Sequence, residues 1–300
     1  MTTSLSQPLT CVEVCTDAER GPSLDELLTS VAPAGSSSYT DPVANRATVR
    51  VWVPENTSAS KLADDIRRIL DQAANWIGDP PPAVDISEVR QEDWAETWKR
   101  HFHTQRVSRR IVIKPSWELY APEATDIVLE LDPGMSFGTG QHETTKACLQ
   151  MLDDLAETLT PCPLLDAGCG SGILTLAAVR LGFQPVLAFD HDPQATLMAR
   201  ENLANAGVLD RVRIQQADLT NFDACTQFPI VVANILAPVL MECAETLTRH
   251  LAPAPSSRML LSGILDDQYA DVRKRFEQCG LQESTRVKLG EWTSGCFHLT

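Results

Sequence analysis

Leu164-Leu-Asp-Ala-Gly-Cys-Gly-Ser-Gly-Ile-Leu174 is the stretch that decides the fold. An apolar run, Pro163 to Leu165, ends in Asp166. A glycine-rich turn follows (Gly168, Gly170, Gly172), and then an apolar segment with helical character, Ile173 to Leu181. Strand, tight turn and helix in this order make the first unit of an open parallel α/β sheet. Glycines without Cβ let the backbone come close to a ligand. The next apolar run, Pro185 to Phe189, reads as the second strand and ends in Asp190. A carboxylate there can accept hydrogen bonds from both hydroxyls of a ribose.

The turn has the spacing G-x-G-x-G, not the G-x-G-x-x-G of dinucleotide binders, so no pyrophosphate grip is implied. A nucleoside without phosphates fits better, and S-adenosylmethionine is the foremost candidate. The bland reading of Asp190 is a cap for the next helix. Asp192 is the better cap, because Pro193 then falls at the first helical position. Asp190 is left for the ligand.

Working outward, five more strands are expected after Asp190 and before it: Val212 to Gln216, Ile230 to Asn234, Arg258 to Gly263, and an opening pair, Arg110 to Lys114 and Ile127 to Leu131. Residues 1–90 read as a smaller α+β unit. Strands are expected at Leu9–Cys15, Ser36–Thr40, Ala47–Val53 and Val84–Val89. Helices are expected at Pro22–Val31 and Ser60–Trp76. The order strand, helix, strand, strand, helix, strand is ferredoxin-like. Glu92 to Arg100 reads as a connecting helix, with Trp94 and Trp98 on one face. The expected division is therefore 1–90, a linker helix over 91–105, and a ligand-binding domain over 106–300. A length of 300 residues agrees with about two domains.

Composition excludes several classes. The formal charge is −15, from 25 basic and 40 acidic residues. Such a chain repels phosphates, so direct nucleic-acid binding is not expected, whereas a basic partner is attracted. Nine cysteines are scattered without a C-x-x-C pair, which suits reduced thiols and no metal site. No run approaches the roughly 20 apolar residues of a membrane span, and Met1 to Thr10 is polar. A cytoplasmic protein is expected.

Two further stretches carry chemistry. Asp132-Pro-Gly-Met-Ser-Phe-Gly-Thr-Gly-Gln-His-Glu-Thr-Thr-Lys146 is a glycine-rich loop running into a helix expected over Thr144 to Leu155. Gly134, Gly138 and Gly140 allow the loop to fold over a ligand. Thr144 and Thr145 sit at the helix start, where backbone N–H groups can meet a carboxylate, or where the threonines simply cap the helix. His142 is either a base or an ordinary loop residue. In Val231-Val-Ala-Asn-Ile-Leu-Ala-Pro238, Asn234 closes a strand at the end that faces the ligand crevice. Its carboxamide oxygen can accept from a neutral amine and aim the lone pair, although it is no strong base.

The succession LDPGMSFGTGQHETT, LLDAGCGSGIL, FDHDP, VVANILAPVL and LLSGIL resembles the PrmA family, lysine methyltransferases of the eleventh protein of the large ribosomal subunit. EDWAETWKR resembles that family's interdomain helix and GEWTSGCF its closing hairpin. The resemblance covers Gln91 to Thr300; over Met1 to Arg90 only the element order agrees. It implies a Rossmann-like open sheet of the class I methyltransferase type behind a ferredoxin-like domain. It implies S-adenosylmethionine as cofactor, with Thr145, Gly168, Gly170, Asp190 and Asn234 around it and Phe137, Thr144 and Ile235 nearby. It also implies a basic ribosomal protein as substrate. One departure is the loop Ala252-Pro-Ala-Pro-Ser-Ser257, where the family carries a glycine pair; it is expected to lie away from the cofactor. Two alternatives stay open: a methyltransferase for another protein lysine or a small amine, and a binding module whose transferase site has decayed.

Overall fold

The computed structural model describes residues 9–29, 36–41, 44–54, 57–73, 81–89, 102–132, 140, 142–223 and 226–300. The chain divides into two compact units, Met1–His101 and Phe102–Thr300. The expected interdomain helix with Trp94 and Trp98, and Gly134, Phe137 and Gly138 of the glycine-rich loop, lie outside the described residues.

In the first unit the elements are β1 (Leu9–Thr16), α1 (Gly21–Thr29), β2 (Ser36–Asp41), β3 (Arg46–Trp52), α2 (Ala59–Gln72) and β4 (Ala83–Val89). The sheet order is β2-β3-β1-β4, antiparallel throughout, as the ferredoxin-like order requires. Alternation in β1 and β3 sends Val12, Val14, Val49 and Val51 to one face. There they bury against Leu24 and Leu28 of α1 and Leu62, Ile66 and Leu70 of α2. Ser58 caps α2 by accepting from the Lys61 amide at 3.2 Å, which sets its start one turn after Pro54.

The second unit opens with a small sheet of β5 (Gln105–Arg106), β6 (Ile111–Lys114) and β7 (Ile127–Glu130). Helix α3 (Glu143–Thr158) leads into β8 (Leu164–Ala167), α4 (Ile173–Leu181), β9 (Val186–Asp190), α5 (Pro193–Asn205), β10 (Val212–Gln216) and β11 (Ile230–Asn234). Then come α6 (Ala237–Glu242), α7 (Ala244–His250), β12 (Arg258–Ser262), α8 (Tyr269–Gln278), β13 (Leu281–Leu289) and β14 (Trp292–Leu299). Seven of these strands form one sheet in the order β10-β9-β8-β11-β12-β14-β13. Pairings from β10 through β12 are parallel, and β14 enters antiparallel as the end of the closing hairpin. This is the Rossmann-like open sheet that the motif implied.

Both faces of the sheet are covered, which explains the unbroken apolar runs of its strands. Ile230 and Val232 bury on the face of α3, α4 and α5 with Leu152, Leu176 and Leu203. Val231 and Ala233 bury on the other face with Leu240, Leu247 and Phe276 of α6, α7 and α8. The chain winds from β8 out through β9 to β10, and then returns past β8 to β11. Between β8 and β11 the direction of winding reverses, so a crevice opens outside their C-terminal ends. Among the described residues no helix is long and apolar enough to cross a membrane.

Candidate active site

Strand register lines up the site. Ala167 of β8 pairs with Phe189 of β9 on one side and with Ala233 of β11 on the other. The next residues along, Gly168, Asp190 and Asn234, therefore share one level at the C-terminal edge of the sheet. Asn234 in turn pairs with Ser262, and Asp190 with Gln216. Residues far apart in sequence are brought into one row by parallel pairing alone.

The glycine turn is built as read from the sequence. Gly168, Gly170 and Gly172 have φ of 77°, 52° and 81°, a region L side chains rarely enter. A Cβ added at Gly168 would stand 2.5 Å from Ile235 Cγ2, so this glycine also holds Ile235 close to the turn. The amides of Gly168 and Cys169 both donate to the Phe189 carbonyl, at 2.9 and 3.0 Å. That ties the turn to the end of β9. Burial pushes the Cys169 thiol up, with the Asp166 and Asp190 charges adding to the rise. It stays protonated and is no nucleophile.

Asp190 is 7 % exposed. Its Oδ2 accepts from the Gly170 amide at 2.9 Å and its Oδ1 from the Asp192 amide at 3.0 Å. A carboxylate offers about four lone-pair positions, so each oxygen keeps one for a ligand hydroxyl. The ring of His191 lies 3.2 Å from Oδ1, but its side chain is 82 % exposed and can turn into solvent. Asp192 caps α5 through the Gln194 amide, with Pro193 in the first turn, as expected.

Asp166, wholly buried, accepts from the Thr175 hydroxyl at 2.5 Å through Oδ2, while its Oδ1 has no partner among the described residues. Burial pushes its carboxyl up to about 6, against the Thr175 bond that favours the charged form; the Asp190 charge adds to the rise. The folded protein therefore holds a proton that the unfolded chain, with an ordinary carboxyl near 3.8, has already lost. Asp166 stabilises the fold below about pH 4, and this contribution is lost as pH rises to about 6. Asp166→Asn, neutral at every pH, is expected to gain a few degrees of melting temperature over the native chain at pH 8 and little at pH 4. Parallel melting curves for the two proteins across that range contradict it.

The start of α3 differs from expectation in one respect. Neither threonine caps the helix; His142 does. Its Nδ1 lies 2.8 Å from Thr144 Oγ1 and accepts from the Thr144 amide at 3.4 Å, and its ring packs edge-on against Trp292, centroids 5.0 Å apart. A ring nitrogen committed to a helix cap does not suit the base role. Thr144 and Thr145 are buried, and their hydroxyls are engaged by His142 Nδ1 and Asn234 Nδ2. Gly140, φ 83°, lies where a Cβ would run into Ile113 and Ile173, so the described end of the glycine-rich loop is packed against both.

Asn234 is half-buried. Its Nδ2 donates to Thr145 Oγ1 at 3.4 Å, and its Oδ1 is buried without a hydrogen-bond partner among the described residues. A buried acceptor left unpaired costs about 1–3 kcal/mol. Thus Thr145, Gly168, Gly170, Asp190, Asn234 and Ile235 come together in the second unit.

Two residues at this level were not singled out from the sequence. Asp218 follows β10 as Asp190 ends β9. Its Oδ1 accepts from the Thr220 amide and hydroxyl, at 2.9 and 2.8 Å, which holds its carboxyl below the usual range. Ser262 ends β12, fully buried beside Asn234. The signal for both was a polar residue closing an alternating or apolar strand, the same signal that identified Asn234. The departing loop, Ala252 to Ser257, precedes the N-terminal end of β12, opposite the site.

Residues 29–299 match the family described as "Ribosomal protein L11 methyltransferase (PrmA)". The match therefore reaches well into the N-terminal part, beyond the Gln91 limit read from motifs. The ribosomal protein L11 methyltransferase of Geobacter metallireducens is 43% identical over 249 residues, 82% of this chain and 80% of that one. Its counterpart from Geobacter sulfurreducens is 42% identical over 248 residues, with the same shares covered. The crystal structure of a ribosomal protein L11 methylase from Lactobacillus delbrueckii subsp. bulgaricus superposes with a TM-score of 0.58 at 31% identity, covering 66% of this chain and 98% of that one. With nine-tenths of its length matched and an unbroken site row, the chain belongs to the ribosomal protein L11 methyltransferase family.

Proposed function

We propose that this chain transfers methyl groups from S-adenosylmethionine to amino groups of ribosomal protein L11, lysine side chains foremost. Membership of the family makes it a methyltransferase. The observation that carries the site reading is the buried, unpartnered Oδ1 of Asn234, level with Gly168 and Asp190. The cofactor fits the residues present. Gly168 and Gly170 leave bare backbone for close approach, and Asp190 keeps acceptor positions for two ribose hydroxyls. When bound, S-adenosylmethionine supplies a methyl group already activated by its positive sulfonium.

The protein's part is positioning and exclusion of water. Asp190 holds the ribose. Thr144, Thr145 and Ile235 wall the cofactor, the family resemblance adds Phe137, and Thr145 holds the carboxamide of Asn234. Asn234 Oδ1 accepts one N–H of the neutral amine and so aims the nitrogen lone pair at the methyl group. No base is assigned, and the amine's proton leaves to water.

Residues 1–90 select the protein substrate, 91–105 link, and 106–300 bind cofactor. Support comes from the net charge of −15, which draws a basic partner and disfavours nucleic acid. A ribosomal substrate also supports a cytoplasmic location. Incubation with methyl-labelled cofactor and purified L11 tests the reading. Label in L11 is expected. Label only in other proteins or small amines changes the substrate, and cofactor binding with no transfer reduces the chain to a binding module. A chain starting at Gln91 is expected to bind cofactor but to lose methylation of L11. Equal rates assign residues 1–90 another role.

A further inference from the structure

Hydrogen bonds around Asn234 close into a ring. Asn234 Nδ2 donates to Thr145 Oγ1 at 3.4 Å. One residue back along α3, the Thr144 carbonyl accepts from Ser262 Oγ at 3.0 Å. The backbone carbonyl of Ser262 accepts from the amide of Ile235, the neighbour of Asn234, at 3.2 Å. Outside the ring, Ser294 Oγ of β14 lies 2.7 Å from Ser262 Oγ.

Chemistry fixes the direction of this chain of hydroxyls. A carbonyl oxygen only accepts, so Ser262 spends its proton on Thr144. Ser294 must then donate to Ser262. The two serines are 0 % and 1 % exposed, so neither serves solvent. Two small apolar residues would fill the same space without the cost of burying hydroxyls; what the hydroxyls add is a defined distance between β12 and the first turn of α3. The next residue, Gly263, φ 82°, leaves no room for a Cβ beside the Ile235 backbone. The end of β12 is thus seated against Asn234–Ile235 on one side and bonded to Thr144 on the other.

We propose that Ser262, supported by Ser294, is a positioning residue for methyl transfer. Through Thr144 it sets the place of Thr145. Thr145 in turn holds the carboxamide of Asn234 with its nitrogen inward and Oδ1 toward the amine. The inference rests on the reading of Asn234 as the amine-orienting group. It predicts that Ser262 matters to turnover only while Asn234 is present.

The test is a double-mutant cycle in the full-length enzyme with L11 and S-adenosylmethionine. Ser262→Ala is expected to lower kcat on the order of tenfold, with the KM for L11 and the cofactor Kd little changed. In an Asn234→Ala background the same change is expected to add nothing, and Ser262→Thr, which keeps the hydroxyl, to retain most of the turnover. An equal loss in both backgrounds overturns the proposal, because Ser262 then acts on the fold at large. Native turnover in Ser262→Ala, beside a slow Asn234→Ala, overturns the ring alone. Native turnover in Asn234→Ala overturns the underlying site reading. Should Ser262→Ala fold poorly, Ser294→Ala removes only the outer donor and is read the same way, with a smaller loss expected.

Discussion

Asn234→Ala is expected to lower the turnover of cofactor-saturated enzyme about a hundredfold, the scale lost when one preorganised polar group or a well-oriented reactant is removed. In barrier terms that is about 2.7 kcal/mol. Among the described residues the carboxamide hydrogen-bonds only through Nδ2 to Thr145, while its oxygen is buried and unpaired. Alanine therefore relieves an unsatisfied acceptor and does not break the fold. Nor does it touch the bonds that anchor Asp190 to Gly170 and Asp192. Cofactor affinity should change far less than turnover. Single-turnover rates on saturated enzyme, beside calorimetry of cofactor binding, separate the two. Collapsed binding with normal saturated turnover would make Asn234 a cofactor ligand only.

Asp190→Ala is expected to weaken S-adenosylmethionine binding by roughly tenfold to a hundredfold. Charge-assisted hydrogen bonds are worth about 1.5–3 kcal/mol, and each 1.4 kcal/mol is tenfold in affinity. The carboxylate is 7 % exposed and level with the glycine turn. Besides the ribose-accepting role proposed for it, it fixes the Gly170 amide at 2.9 Å. Asp190→Asn keeps an acceptor for one of these tasks and should lose less than the alanine variant. Calorimetry showing native affinity in Asp190→Ala would falsify the assignment.

The local elements were legible because each rested on a short-range rule. Ile173–Leu181 is helical because an apolar run follows a turn of three glycines. Asp192 and Pro193 begin α5 because a capping carboxylate and a preset φ both favour that start. The ferredoxin-like order followed from two-residue alternation in β1 and β3 and helical spacing in α2. The capping of α3 was not legible. His142 caps it because Trp292, 150 residues later, packs on its ring; no local rule carries that contact. Ser262 was passed over for a related reason. A serine at the end of an apolar strand reads as a turn residue until Thr144 and Ser294 are seen to bond it.

By itself the sequence determined what each strand end offers: glycines without Cβ at 168 and 170, a carboxylate at 190, a carboxamide at 234. These are properties of residue type at the end of an apolar run. Only the tertiary structure decided that they share one level. Parallel register between β8, β9 and β11 aligns Gly168, Asp190 and Asn234 across the sheet, and pairing partners are set by packing of the whole core. It also decided which atom of Asn234 has a partner: Thr145, on a helix packed across the same face, takes the nitrogen, and among the described residues the buried oxygen has none.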